Sequence, residues 1–124
     1  MEADAEITKP DISVWKAFSK QRRNAAEKER QKILGQVKNA LRVLSDKYKW
    51  DSLFIFGSLI SKGNFSDGSD IDIGVSGLNK FDHYKFIADF SMLVDREADV
   101  VRLEDCRFAD AISERAVPWT KNGL

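Results

Sequence analysis

The sequence predicts an α/β (α+β) domain, a small mixed sheet with helices packed on it. Three observations carry that expectation. Apolar residues recur at helical spacing over 33–48 and again over 79–94. Three short runs of strand type, at about 52–57, 70–76 and 98–103, are interleaved with those helices. With 124 residues, 43% of them hydrophobic and 32% charged, the chain has the size of one domain and can bury one modest core.

Taken in order, residues 1–10 are expected to fray, with Pro10 a stop before a helix that Asp11 or Ser13 caps. From Ile12 to about Tyr48 only Gly35 interrupts helix-forming residues. Ile33, Val37, Ala40, Leu41, Leu44 and Tyr48 fall three and four apart, so 33–48 is the helix expected to lie on the sheet. Upstream, 19–32 is nearly all polar, and a helix polar all round needs outside support or stays loose. The expected division is a partly loose N-terminal helical extension at 1–32 and the folded domain at 33–124. Trp15 and Phe18 are expected either to dock on a partner or to fold back onto the domain's surface.

Lys49-Trp50-Asp51 then turns the chain into a first strand at about 52–57. Ser58 to Lys62 opens a short helical turn, 64–69 is loop, and a second strand at 70–76 ends at Ser76-Gly77. Asn79 or Asp82 caps a helix running to about 94, with Tyr84, Ile87, Phe90, Met92 and Leu93 as its expected apolar face. Phe81, Phe86, Phe90 and Phe108 read as core. A third strand at 98–103, a helix over roughly 105–115 and a short strand around Val117 and Trp119 complete the pattern.

Composition narrows the classes of function. No apolar run approaches the roughly 20 residues of a membrane span. The acidic start, MEADAEITKPD, lacks the apolar stretch of a secretion signal. Cys106 is the single cysteine, so no internal disulfide can form, and a cytoplasmic location is expected. The net charge is zero, yet residues 16–49 hold eleven Lys and Arg against three carboxylates, while 51–124 hold eight against thirteen. The basic segment can face nucleic acid or an acidic partner; a solvated helix face is the plainer reading.

The chemistry concentrates in LFIFGSLISKGNFSDGSDIDIGV, residues 53–75. Asp70 and Asp72 alternate with Ile71 and Ile73, so in a strand they share a face, roughly 7 Å apart at their Cα atoms. Like charges held together repel, and burial would raise their pKa values. A hard, oxygen-seeking cation such as Mg2+ would relieve that cost. Gly57-Ser58 ends the first strand and opens a helical turn. Gly permits close approach of the backbone, and a hydroxyl with free N–H groups can then donate to phosphate oxygens. Lys62 can meet a phosphate as a point charge. If the third strand runs parallel beside the second, their N-terminal ends meet, and Asp99 joins Asp70 and Asp72. Three carboxylates can hold two Mg2+ ions roughly 3.5–4 Å apart.

With these residues in place, the sequence resembles the nucleotidyltransferases of the DNA polymerase β superfamily. The likeness is strongest to the small minimal nucleotidyltransferases, antitoxin-type proteins found beside HEPN-domain toxins. The matching text is FGSLISKG, then SDGSDIDIGV, then ADVV, with ISERAVPW similar to that family's closing helix and strand. Small family members commonly carry an Arg soon after Gly-Ser, where this chain has Leu59-Ile60-Ser61-Lys62. The resemblance implies a polymerase β-like fold, with Gly57 and Ser58 on the β- and γ-phosphates and Lys62 and Ser69 as further candidate nucleotide-binding residues. It implies Asp70, Asp72 and Asp99 as the metal-binding and catalytic residues, Asp70 and Asp72 ligating both metals and Asp99 completing one metal site near the incoming hydroxyl, as base or as the ligand that acidifies it. It further implies two Mg2+ ions, ATP as substrate, and transfer of AMP to a tyrosine of a HEPN-type toxin. The chain has no room for an acceptor-holding domain, so the acceptor surface is expected from another protein or a second subunit. The alternatives are a non-catalytic antitoxin that acts by binding, and transfer to a small molecule or an RNA end.

Other constellations fail. No start residue near Asp67 gives a Ca2+ loop both its Gly and its closing Glu. His83 lacks a His or Cys partner at metal-ligand spacing and reads as a surface or satisfied side chain. Cys106 has no nucleophile signature around it, and Ser58 is not in G-x-S-x-G.

Overall fold

The computed structural model describes residues 12–65 and 69–121. The expected fraying of 1–10, the Asp11 cap and positions 66–68 of the loop lie outside the described residues. In chain order the elements are helix α1 (Ile12–Lys47), strand β1 (Ser52–Phe56), a 3-10 turn (Gly57–Ile60), β2 (Ile71–Ser76), helix α2 (Lys80–Val94), β3 (Ala98–Arg102), a second 3-10 turn (Leu103–Asp105), helix α3 (Ala109–Arg115) and β4 (Val117–Pro118). The strands form one mixed sheet in the order β3-β2-β1-β4. β1 pairs antiparallel with β2 and β4, whereas α2 carries the chain back so that β3 runs parallel beside β2.

Alternation along the strands gives the sheet two different faces. Leu53, Ile55, Ile71, Ile73, Val75 and Val100 are buried and join α1 and α2 in one core. From α1 that core takes Ile33, Val37, Ala40, Leu41, Leu44 and, just past its end, Tyr48, the face that the spacing predicts. From α2 it takes Phe86, Phe90 and Val94. Phe86 stacks on Phe90 with centroids 6.0 Å apart, and Tyr48 and Trp50 meet Phe86 edge-on at 5.6 and 5.7 Å. Burying a ring of this size contributes about 1.5–3 kcal/mol. Asn79 caps α2, accepting from the Asp82 N–H at 2.8 Å.

Two expectations change, and one of two alternatives drops out. Tyr84, Met92 and Leu93 do not form the buried side of α2; all three are exposed, and so are Phe81 and Phe108. Apolar residues surround α2, so hydrophobicity alone does not choose the side that is buried; the aromatic contacts of Phe86 and Phe90 do. The expected helix over 105–115 is divided into the second 3-10 turn and α3. Trp15 and Phe18 do not fold back onto the domain. Both are 58% exposed, and the Arg22 guanidinium on the same helix lies 6.0 Å from the Phe18 ring.

The second face of the sheet is only partly covered. A Cβ placed at Gly74 would lie 2.9 Å from Leu103 and 3.6 Å from Ile112, so the second 3-10 turn and α3 close over the sheet there. Asp72, two residues before Gly74 on the same face, is half-buried.

Candidate active site

The first wall of the site is the end of β1. Phe56 stands opposite Asp72 in the antiparallel register, and Gly57 then turns the chain with φ +78°. Any side chain at Gly57 would overlap the Asp72 carboxylate, its Cβ falling on Oδ2 and 3.1 Å from Cγ. Glycine is required there both for its backbone angle and for its lack of bulk. The 3-10 turn that follows buries Leu59 and returns the Ser61 N–H to the Ser58 carbonyl at 3.1 Å.

That turn is held from outside by α1. Arg30 is buried and donates through one guanidinium nitrogen to the Leu59 carbonyl at 2.9 Å. Its other two nitrogens grip the Glu27 carboxylate at 2.9 and 2.7 Å. The Arg30 hydrogen bond, then one from Gln31, holds the Glu27 carboxyl down at about 2. Sequence reasoning missed Arg30. Its signal was periodicity: it precedes Ile33 by three and Val37 by seven, continuing the buried face of α1 one turn upstream.

The second wall is the parallel pair β2–β3. Asp72 and Asp99 are direct register partners, so Phe56, Asp72 and Asp99 form one row across three strands. Asp70 lies just ahead of β2 and is exposed, as is Asp99. The Ile71 N–H donates to the Glu97 carbonyl at 3.2 Å, and Arg96 Nε donates to the Ser69 carbonyl at 3.0 Å, which fixes the entry into β2. Arg96 also lies over the Phe65 ring at 4.9 Å. These contacts join residues far apart in sequence, and no local signal announces them.

Burial pushes the Asp72 carboxyl above the usual carboxylate range, and repulsion from Asp99 and then Asp70 adds to it. Both neighbouring carboxylates therefore act on Asp72. An all-oxygen, mutually repelling donor set fits a hard divalent cation. Among the described residues, no three His, Cys, Asp or Glu side chains converge closely enough to enclose a metal ion.

Of the residues singled out from the sequence, Asp72 and Asp99 are register partners, Gly57 packs against the Asp72 carboxylate, and Asp70 lies just ahead of β2. Ser58 is half-buried in the turn after Gly57, and Ser69 is half-buried at the entry to β2. Lys62 lies towards α1, where its charge helps to lower Glu27. It lines a cavity of about 820 Å3 together with Arg22, Arg23, Gly63 and Phe65. His83 is neither a free surface group nor fully satisfied. Its Nδ1 is buried with no hydrogen-bond partner among the described residues, and burial holds its pKa below the ordinary value.

No helix among the described residues is long and apolar enough to cross a membrane. A search of the curated proteins finds no match. Residues 38–117 match the family described as polymerase beta, nucleotidyltransferase, a stretch that runs from α1 through β4 and contains Gly57, Ser58, Asp70, Asp72 and Asp99. The chain therefore belongs to the polymerase beta nucleotidyltransferase family.

Proposed function

We propose that the protein moves an NMP unit, AMP from ATP, onto a hydroxyl of a partner protein. The partner this reading names is a HEPN-type toxin modified on a tyrosine, which makes the protein an antitoxin. The observation that carries the transfer itself is the register pair of Asp72 and Asp99, with Gly57 turning the chain directly against the Asp72 carboxylate.

Gly57 and the first turn bring backbone N–H groups and the Ser58 hydroxyl to the β- and γ-phosphates. Lys62 and Ser69 are the further candidates for contact with the nucleotide. Asp70, Asp72 and Asp99 would hold Mg2+, two ions when the site is full, which neutralise charge on the phosphates as pyrophosphate departs. Asp99, exposed at the sheet's edge, accepts the proton of the incoming hydroxyl. The acceptor oxygen forms a bond to the α-phosphorus, and the bond between the α-phosphorus and its bridging oxygen breaks. Pyrophosphate leaves with that electron pair, opposite the attacking oxygen.

A second reading, a non-catalytic antitoxin, is favoured by α1. Its first turns expose Val14, Trp15 and Phe18, a surface suited to a partner whether or not transfer takes place. One experiment separates the two. Incubation with Mg2+, ATP labelled at the α-phosphate and the protein encoded alongside is expected to label a hydroxyl side chain. Asp72→Asn should reduce labelling on the order of a hundredfold or more. Equal labelling by the Asn variant would contradict the catalytic assignment, and tight co-purification without labelling would favour binding alone.

A further inference from the structure

We propose that the groove along the outer edge of β3 is a second ligand site, built for a nucleoside phosphate and separate from the carboxylate row. β3 is an edge strand of the sheet. Beside it lies a cavity of about 690 Å3 lined by Lys80, Tyr84, Ile87, Val101, Arg107 and Phe108. Arg102, which also lines it, is three residues along β3 from Asp99, roughly 10 Å away along the strand.

Two features define what fits. Tyr84 and Phe108 are 74% and 71% exposed, although their rings are among the largest apolar surfaces in the chain. They come from different elements, α2 and the segment before α3, and line one cavity. Two exposed rings lining one cavity with aliphatic Ile87 and Val101 form a place for a flat apolar group. The second feature is charge. Arg102 is engaged, donating to the Leu78 carbonyl at 2.7 Å and pairing with Asp105 at 2.9 Å. Lys80 and Arg107 line the same cavity and have no ion-pair partner among the described residues. This positive spot lies in a half of the chain where carboxylates outnumber Lys and Arg thirteen to eight.

A ring platform beside unpaired cations is the chemistry that holds a base by stacking and its phosphate by charge. An aliphatic anion would use the cations and leave the rings bare. An uncharged aromatic would use the rings and leave Lys80 and Arg107 idle. A nucleoside phosphate uses both, either as a free nucleotide or as the terminal residue of a single strand.

The test is calorimetric titration of the full chain in EDTA, so that no divalent cation assists the carboxylate row. The probes are AMP, adenosine, ribose 5-phosphate and a short single-stranded oligonucleotide with a 5′-phosphate. AMP should bind more tightly than adenosine or ribose 5-phosphate. Tyr84→Ala and Phe108→Ala should each weaken it roughly tenfold. The double variant of Lys80→Ala with Arg107→Ala should weaken AMP but not adenosine, and Asp72→Asn should leave AMP affinity unchanged. Tighter binding of the oligonucleotide than of AMP would assign the site to a strand end; the reverse order would assign it to free nucleotide. Absence of AMP binding, equal affinity for AMP and either fragment, or loss with Asp72→Asn but not with Phe108→Ala would overturn the proposal. Lys80, Tyr84, Arg107 and Phe108 are all exposed, and circular dichroism checks that each variant is folded.

Discussion

A single methyl group would separate the two walls of the candidate active site. Gly57 turns the chain at φ +78° with the Asp72 carboxylate where a side chain would otherwise stand. Gly57→Ala should therefore destabilise the fold by about 1–3 kcal/mol in urea unfolding. It should also displace Asp72 and lower transfer on the order of a hundredfold, since small misplacements of a reacting group are costly. Asp72 yields a prediction of opposite sign for stability. Its folded carboxyl titrates above the ordinary value because it is buried near Asp99 and Asp70. Folding thus favours its protonated form, an advantage present below the ordinary carboxylate pKa and lost as pH rises through the folded value. At neutral pH the ionised group opposes folding, so Asp72→Asn should raise the melting temperature of the metal-free protein at pH 7. That gain should shrink as the pH falls towards the carboxylate range. A melting temperature that drops at pH 7 would contradict it. These residues were legible in the sequence because their signals are local: Gly-Ser at a strand end and two aspartates one residue apart. Arg96 was not, because the Ser69 carbonyl it holds lies 27 positions away.

At the scale of elements, the site depends on α1 as much as on the sheet. Arg30 links α1 to the turn that follows Gly57, through the Leu59 carbonyl on one side and Glu27 on the other. Arg30→Ala would leave that carbonyl without its donor and should cost about 1–3 kcal/mol in stability. Arg30→Lys should recover only part of it, because an ammonium cannot reproduce a planar fork that reaches two partners. Full recovery by lysine would mean that charge alone is needed there. The pairing of β2 with β3 was legible, because two strands joined through a helix are expected to run parallel. The orientation of α2 was not. Phe81, Tyr84, Met92 and Leu93 are as apolar as Phe86 and Phe90, and only the tertiary contacts of the latter pair decide which side is buried. The reading of Phe108 as core failed for a related reason: it lies between the second 3-10 turn and α3, where no periodicity constrains it.

Across the whole molecule, one face of the sheet carries the core and the other carries the candidate site. The apolar face carries α1 and α2, while the opposite face is closed near Gly74 and leaves the Asp72 row half-covered. Charge divides along the chain as well, with basic residues concentrated on α1 and carboxylates in excess from residue 51 onward. An acidic sheet edge cannot hold a triphosphate by itself, because like charges repel; the account requires a divalent cation between them. The most direct measurement is therefore the gain in ATP affinity on adding Mg2+, compared by calorimetry for the native chain and Asp72→Asn. The account predicts a gain of tenfold or more in the native chain and little or none in the variant, on the order of what carboxylate ligands contribute at such sites. An equal gain in both, or none in the native chain, would contradict it.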